Sequence, residues 1–185
     1  MKKLLKDKKA AILVTNGFEQ SEFEKPVIAF KKAGMLVDVI SLKKGTVKGW
    51  KNKNWGNVFN VDKSLETASS ADYDILMLPG GVMNSDILRV DEHAIKFVSE
   101  FFDQGKPIAA ICHAPWILIE TGKLKGKQLT SYHTLKTDIV NAGATWKDAE
   151  VVVDGKLITS RNPRDLHAFC KTMIEELVAG LPPVV

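Results

Sequence analysis

Cys112 and His113 stand at the end of a short apolar run, Ile108 to Ile111, that reads as a buried strand. The next stretch, Ala114 to Thr121, has the apolar spacing of a helix, and Pro115 suits its first turn. The chain therefore reads strand, sharp turn, helix, with a thiol at the apex, which is the layout of a nucleophile elbow. Ala110 and Ala114 are small, as close backbone approach at such a turn requires. A cysteine beside a helix N-terminus is favoured as thiolate, and His113 could supply a base or a cation. Free cysteines are more often inert core residues. The neighbouring histidine, the small flanking residues and the strand-to-helix switch tip the reading toward a nucleophile. Cys170 instead lies in an apolar helical stripe and reads as core.

Two further stretches could do chemistry. Gly80-Gly81 follows a buried strand, Ile75 to Leu78, and two glycines there can turn backbone N–H groups toward a ligand or a developing oxyanion. The same pair also suits a plain turn. Glu19 follows the first strand, Ala10 to Thr15, through the turn Asn16-Gly17-Phe18.

These residues must be held by elements, and the chain supplies them in alternation. Ser21 and Glu24 have capping-box spacing before a helix that runs to Ala33 and ends at Gly34, with Pro26 either in its first full turn or kinking it. Leu36 to Leu42 reads as a strand. Lys43 to Asn60, with Trp50 and Trp55, reads as a β-hairpin or a long excursion that covers a neighbour. Ser64 to Ser70 reads as helical, and Val82 to Asp86 as a continuation of the glycine turn. Glu92 to Gln104 is an amphipathic helix, Gln128 to Tyr132 a short strand, and Leu135 to Ala142 a helix. Glu150 to Ser160 forms a hairpin around Asp154-Gly155, and Pro163 to Ala179 is the last helix. Buried-type strands alternating with helices argue for a doubly wound α/β sheet, in which ligands bind beyond the C-terminal strand ends. Glu19, Gly80-Gly81 and Cys112 all fall there.

Length and composition fit one domain, residues 1–185, with residues 1–9 as a basic leader. The net charge of +4 is mild, and the leader lysines carry no aromatic or Arg-rich pattern, so no nucleic-acid partner is expected. No apolar stretch has bilayer-spanning length, and the start has no signal-peptide pattern. Two cysteines make neither a disulfide framework nor a zinc spacing. A cytoplasmic location without metal or cofactor is the expectation, and the absence of a Gly-x-Gly-x-x-Gly after a strand argues against a dinucleotide fold.

Ala110-Ile-Cys-His-Ala-Pro-Trp116, Leu78-Pro-Gly-Gly81, Gly17-Phe-Glu19 and Asn141-Ala-Gly-Ala144, with Glu150-Val-Val-Val-Asp-Gly155 and Thr159-Ser-Arg161, together resemble the PfpI (ThiJ/PfpI) family of intracellular proteases and protein deglycases. That family is related to the class I glutamine amidotransferases and to the Parkinson-associated deglycase. The resemblance spans about Ala10 to Leu177. It implies a flavodoxin-like, three-layer α/β sandwich with a mostly parallel sheet, and a homodimer or higher homo-oligomer. It also implies Cys112 as nucleophile, His113 as base, Glu19 as the buried acid beside the thiol, and the N–H groups of Gly81 and His113 as oxyanion hole. Asp86 falls, after one inserted residue, on the acid that acts from the adjacent subunit, and Tyr132 on a pocket tyrosine. Ser85 and His133 stand where relatives commonly carry proline. His133 reads as a surface loop residue or a second approach to the pocket. A late His-x-Glu pair is missing around His167, so glutamine hydrolysis is not expected. The implied activity is a cysteine hydrolase removing methylglyoxal or glyoxal adducts from proteins or peptides. Peptidase or amidase activity is the enzymatic alternative. A non-enzymatic, redox-sensing stress protein, or a silent binding module with an inert Cys112, are the readings from other classes.

Overall fold

A computed structural model of the chain describes residues 5–181. The chain runs β1 (Lys9–Leu13), β2 (Phe18–Glu19), α1 (Gln20–Ala33), β3 (Leu36–Ser41), β4 (Gly45–Lys51), β5 (Asn54–Val61) and β6 (Lys63–Ser64). It continues with β7 (Ile75–Leu78), α2 (Val82–Leu88), α3 (Glu92–Asp103), β8 (Ile108–Ile111) and α4 (Pro115–Glu120). The last part is β9 (Gln128–Leu129), α5 (Lys136–Asn141), β10 (Thr145–Trp146), β11 (Val151–Asp154), β12 (Leu157–Ser160) and α6 (Leu166–Ala179).

Seven strands form one sheet in the order β11-β12-β8-β7-β1-β3-β6, parallel except for β11. Strands β7 and β8 are apolar at every position and β1 is apolar beyond Lys9, because both faces are covered, and a period of two divides their side chains between two cores. Ala11, Leu13, Leu76, Leu78 and Ala110 face Phe97, Val98 and Phe101 of α3. Ala10, Ile12, Ile75, Met77 and Ile111 face Phe23 and Phe30 of α1 and Phe169 and Met173 of α6. The result is a three-layer, mostly parallel α/β sandwich of flavodoxin type, as the alternation of elements and the resemblance both imply. After β6 the chain crosses back to place β7 on the other side of β1, so the order reverses between β1 and β7. Ligands in such sheets bind beyond the strand ends at this reversal.

Several local readings change. Residues 64–70 do not form a helix: Ser64 pairs in β6, and only Ser70–Asp72 makes a 3₁₀ turn. Ser69 Oγ accepts the Ala71 N–H and Thr67 Oγ1 donates to the Ser64 carbonyl, local bonds that compete with a helical ladder. Residues 82–86 belong to a helix, α2, that starts directly at Gly81. The strand at 128–132 shortens to β9, which pairs with β10 outside the main sheet. The capping box also fails: Glu19 is the N-cap of α1, its carboxylate accepting from Ser21 Oγ at 2.9 Å, while Glu24 accepts from Gln20. Pro26 lies inside a continuous α1.

Residues 1–4 of the expected leader lie outside the described residues. The rest of it is built into the fold, because Leu5 is buried, Lys8 pairs with Asp74, and Lys9 opens β1 and pairs with Asp38. The stretch 43–60 is a hairpin, β4 paired antiparallel to β5, with Trp50 and Trp55 in edge contact at 5.5 Å. Gln20 anchors it to α1, its Oε1 accepting the Asn57 N–H at 2.7 Å. Gly49 and Gly56 leave the room that the Gln20 side chain fills.

Candidate active site

Cys112 closes β8 with a positive φ of 63°, a conformation that costs a non-glycine residue energy and is held here by its neighbours. Its N–H donates to the Ser160 carbonyl at the end of β12, and its carbonyl accepts the Tyr132 N–H at 2.8 Å. The turn therefore stands where a nucleophile elbow is expected. The sulfur lies at the base of a cleft of about 520 Å³ walled by Glu19, Trp50, Met83, His113 and Tyr132, with Asp86 at its edge.

The buried acid beside the thiol is Glu22, and this corrects the placement of that role at Glu19. Glu19 is half-exposed, spends its carboxylate capping α1, and reaches the cleft only as a wall residue. Glu22 lies three residues further, wholly buried, with Oε2 accepting the Gly80 N–H at 2.9 Å. Its other oxygen has no hydrogen-bond partner among the described residues, and the carboxyl as a whole interacts with the Cys112 side chain. Burial raises the Glu22 pKa to about 8, against the Gly80 hydrogen bond and with a smaller push from Glu19. The signal was present in the helix period: Phe30, Pro26 and Glu22 recur every four residues on the buried face of α1.

Desolvation pushes the Cys112 thiol well up, and a negative Glu22 pushes it further, while the backbone N–H groups of Gly81 and His113 offset only part of the rise. The net direction is opposite to the thiolate expected from the helix N-terminus, because burial outweighs the N–H donors. Thiol and carboxyl are both held toward their protonated forms, and ionisation of either one opposes ionisation of the other.

His113 Nδ1 is 3.2 Å from Cys112 Sγ. Burial drops its pKa to about 4, with a further contribution from His133, so the ring is neutral at pH 7 and a weaker base than an exposed imidazole. It stacks on Tyr132 at 4.8 Å, meets Trp116 edge-on, and its Nε2 is 3.4 Å from Thr134 Oγ1. Asp86 lies exposed on α2 and makes no hydrogen bond to His113 among the described residues. His133 is exposed, contacts the Tyr132 ring, and acts on His113 through its charge.

Gly80 and Gly81 are glycines for separate reasons. A Cβ at Gly80 would lie 2.7 Å from both Cys112 Cβ and Glu22 Oε2. Gly81 has φ 92°, and a Cβ there would lie 2.5 Å from the Gly17 carbonyl. Sequence reasoning missed Glu22, Asn84, Thr134 and the cleft walls Trp50 and Met83. A site built from five separate segments leaves no spacing to read. No cluster of described residues has the composition to hold a metal ion, and no described helix is long and apolar enough to cross a membrane.

This arrangement matches known proteins along nearly its whole length. The family model described as DJ-1/PfpI family matches residues 8–176. The chain is 43% identical over 162 residues to the putative cysteine protease YraA of Bacillus subtilis, covering 88% of this chain and 94% of that one. It is 42% identical over 173 residues to protein/nucleic acid deglycase 2 of Escherichia coli, covering 93% and 99%. Among solved structures it superposes with a TM-score of 0.88 and 37% identity on a protein from Anabaena variabilis that joins a DJ-1/ThiJ/PfpI-like domain to a ferritin-like one. There it covers 96% of this chain and 50% of that longer one. With an elbow thiol, a buried glutamate and a diglycine turn converging on one cleft, the chain belongs to the DJ-1/PfpI family.

Proposed function

We propose that the protein is a cysteine-dependent hydrolase that removes methylglyoxal or glyoxal adducts from amino groups of proteins and peptides. The observation that carries this reading is the environment of one sulfur: two backbone N–H groups, a neutral imidazole at 3.2 Å and a buried carboxyl of pKa about 8 all address Cys112. With Glu22 protonated, its charge no longer opposes ionisation of the thiol, and its O–H becomes a donor to the sulfur. His113, neutral above about pH 4, accepts the thiol proton.

The thiolate attacks the carbinol carbon of the adduct. A C–S bond forms, the C–N bond breaks, and the amine leaves with the proton that His113 returns. The hemithioacetal left on Cys112 loses its carbinol proton to His113. Reprotonation at the neighbouring carbonyl carbon, through an enediol, gives a thioester of a 2-hydroxy acid. The Gly81 and His113 N–H groups take the role of stabilising the developing enediolate oxygen charge. Water then hydrolyses the thioester, so adduct and water become free amine and 2-hydroxy acid. A cleft of about 520 Å³ is in the range of small-ligand sites and suits such a small acyl fragment.

Asp86, exposed at the cleft edge, is proposed to orient His113 of a second copy of the chain in a homodimer or larger assembly. Peptidase activity is the alternative suggested by the name of the Bacillus relative. The deciding experiment incubates the protein with methylglyoxal-treated N-acetyl-lysine and a fluorogenic peptide, and counts lactate and cleaved peptide per subunit. Many equivalents of lactate, abolished in Cys112→Ser, are expected. Peptide cleavage without lactate selects the peptidase. A single equivalent of thiol consumed, only with peroxide, selects a sensor.

A further inference from the structure

The structure assigns Asn84 the role of a positioning residue that aims the Gly81 N–H at the reacting centre. This rests on the reading of that N–H as an oxyanion donor. Asn84 is fully buried in the first turn of α2, at the reversal point between β1 and β7. The two strands pair through Ile12 and Met77, and beyond that pair the chain leaves each of them unladdered on the side facing the other. The Asn84 carboxamide fills the gap. Oδ1 accepts the Thr15 N–H at 2.7 Å, and Nδ2 donates to the Pro79 carbonyl at 3.0 Å and the Gly80 carbonyl at 3.2 Å. A carboxamide carries the same donor and acceptor as a peptide, so it extends the ladder where the main chain cannot.

The Gly80 carbonyl and the Gly81 N–H belong to one planar peptide and point in opposite directions. Holding the oxygen from behind sets the direction of the N–H in front, on a turn that packs against Cys112 and lines the same cleft, and a Gly81 N–H donor there pulls the thiol pKa down. The same oxygen also accepts the Glu19 N–H at 3.2 Å, and the Gly80 N–H holds Glu22. Glycine at 80 and 81 makes this turn possible but also leaves it the freest part of the site. An external clamp is what such a turn needs, and of polar side chains only an amide supplies one acceptor and two donors here.

Asn84→Asp tests the assignment. It keeps the shape and the acceptor for Thr15, but sets an oxygen against the Pro79 and Gly80 carbonyls. Burial among acceptors raises the pKa of the new carboxyl, which offers one donor when protonated and none when ionised. The primary readout is iodoacetamide alkylation of Cys112, which needs no substrate, followed by kcat and KM for lactate release. The expected N84D rate relative to wild type falls roughly 10- to 100-fold as pH rises from 5 to 8.5, in alkylation and in kcat, with KM changed less than about 3-fold. Phe101→Leu, on α3 at the far face of the sheet, is the control for general loosening and leaves that ratio flat. If N84D does not fold, Asn84→Ser, whose hydroxyl can serve one carbonyl, is expected to give an intermediate loss. A ratio to wild type that stays near one, or that follows the Phe101→Leu control at every pH, overturns the assignment. If alkylation responds as expected while wild type releases no lactate, the proposed reaction fails and the positioning role stands.

Discussion

At the scale of single residues, the Glu22 carboxyl links stability to pH. Its pKa is about 8 in the folded chain against an ordinary 4.5. Between those values the folded state holds a proton that the unfolded state has lost, so stability is full below about pH 4.5 and falls as pH rises toward 8. The slope in that window is about 1.4 kcal/mol per pH unit. Glu22→Gln keeps the volume and removes the titration, so the drop in urea midpoint between pH 5 and 8 should shrink clearly in the variant. An unchanged drop would show that the carboxyl ionises freely in the fold. His113 behaves in the opposite sense, since burial holds it neutral. The acid limb of kcat/KM for lactate release should lie near pH 4 rather than 6.5, and a limb at 6.5 would place the ring in water.

At the scale of elements, the site depends on how α2 leaves β7. The Gly81 backbone has φ 92° and no room for a methyl group beside the Gly17 carbonyl. Gly81→Ala should therefore lose about 2–3 kcal/mol of stability, measured by denaturant unfolding, together with most of the activity. A variant of wild-type stability would mean that the turn can adopt another path. The hairpin β4–β5 acts on binding instead. Trp50 walls the cleft from the hairpin and packs edge-on with Trp55, so Trp50→Ala should raise KM about 5-fold with kcat within about 2-fold. A fall in kcat at constant KM would place the indole in the chemistry. The hairpin itself was open to two readings in the sequence. What decided it was the antiparallel pairing of β4 with β5, with Asn52 and Lys53 at positive φ in the turn, and the seating of Gln20 against Gly49 and Gly56.

At the scale of the whole molecule, the chain brings Cys112 and His113 together but leaves Asp86 exposed at the rim. If Asp86 serves a neighbouring copy, Asp86→Ala and Cys112→Ala should each be inactive alone. Mixed after dissociation and reassembly, they should recover up to about a quarter of wild-type activity, because one kind of shared site in the mixed dimer is intact. No recovery, with both variants confirmed to exchange subunits, would end the trans assignment of Asp86.

The amino-acid sequence alone determined the sheet and the elbow. Apolar runs of four to six residues between amphipathic helices have few ways to be buried, and β1, β7 and β8 stand where those runs do. Cys112, His113 and Gly80-Gly81 were legible for the same local reason, since each is tied to the end of a strand. Tertiary structure decided which acid meets the thiol. Glu19 and Glu22 differ by three positions, less than one helical turn, and only the docking of α1 on the sheet turns one to the cap and the other into the core. It also decided the work of Asn84, whose partners lie 69 residues away at Thr15 and five residues away at Pro79. Local patterns report which residues are buried, whereas the partner of a buried polar group is settled by how strands distant in sequence diverge.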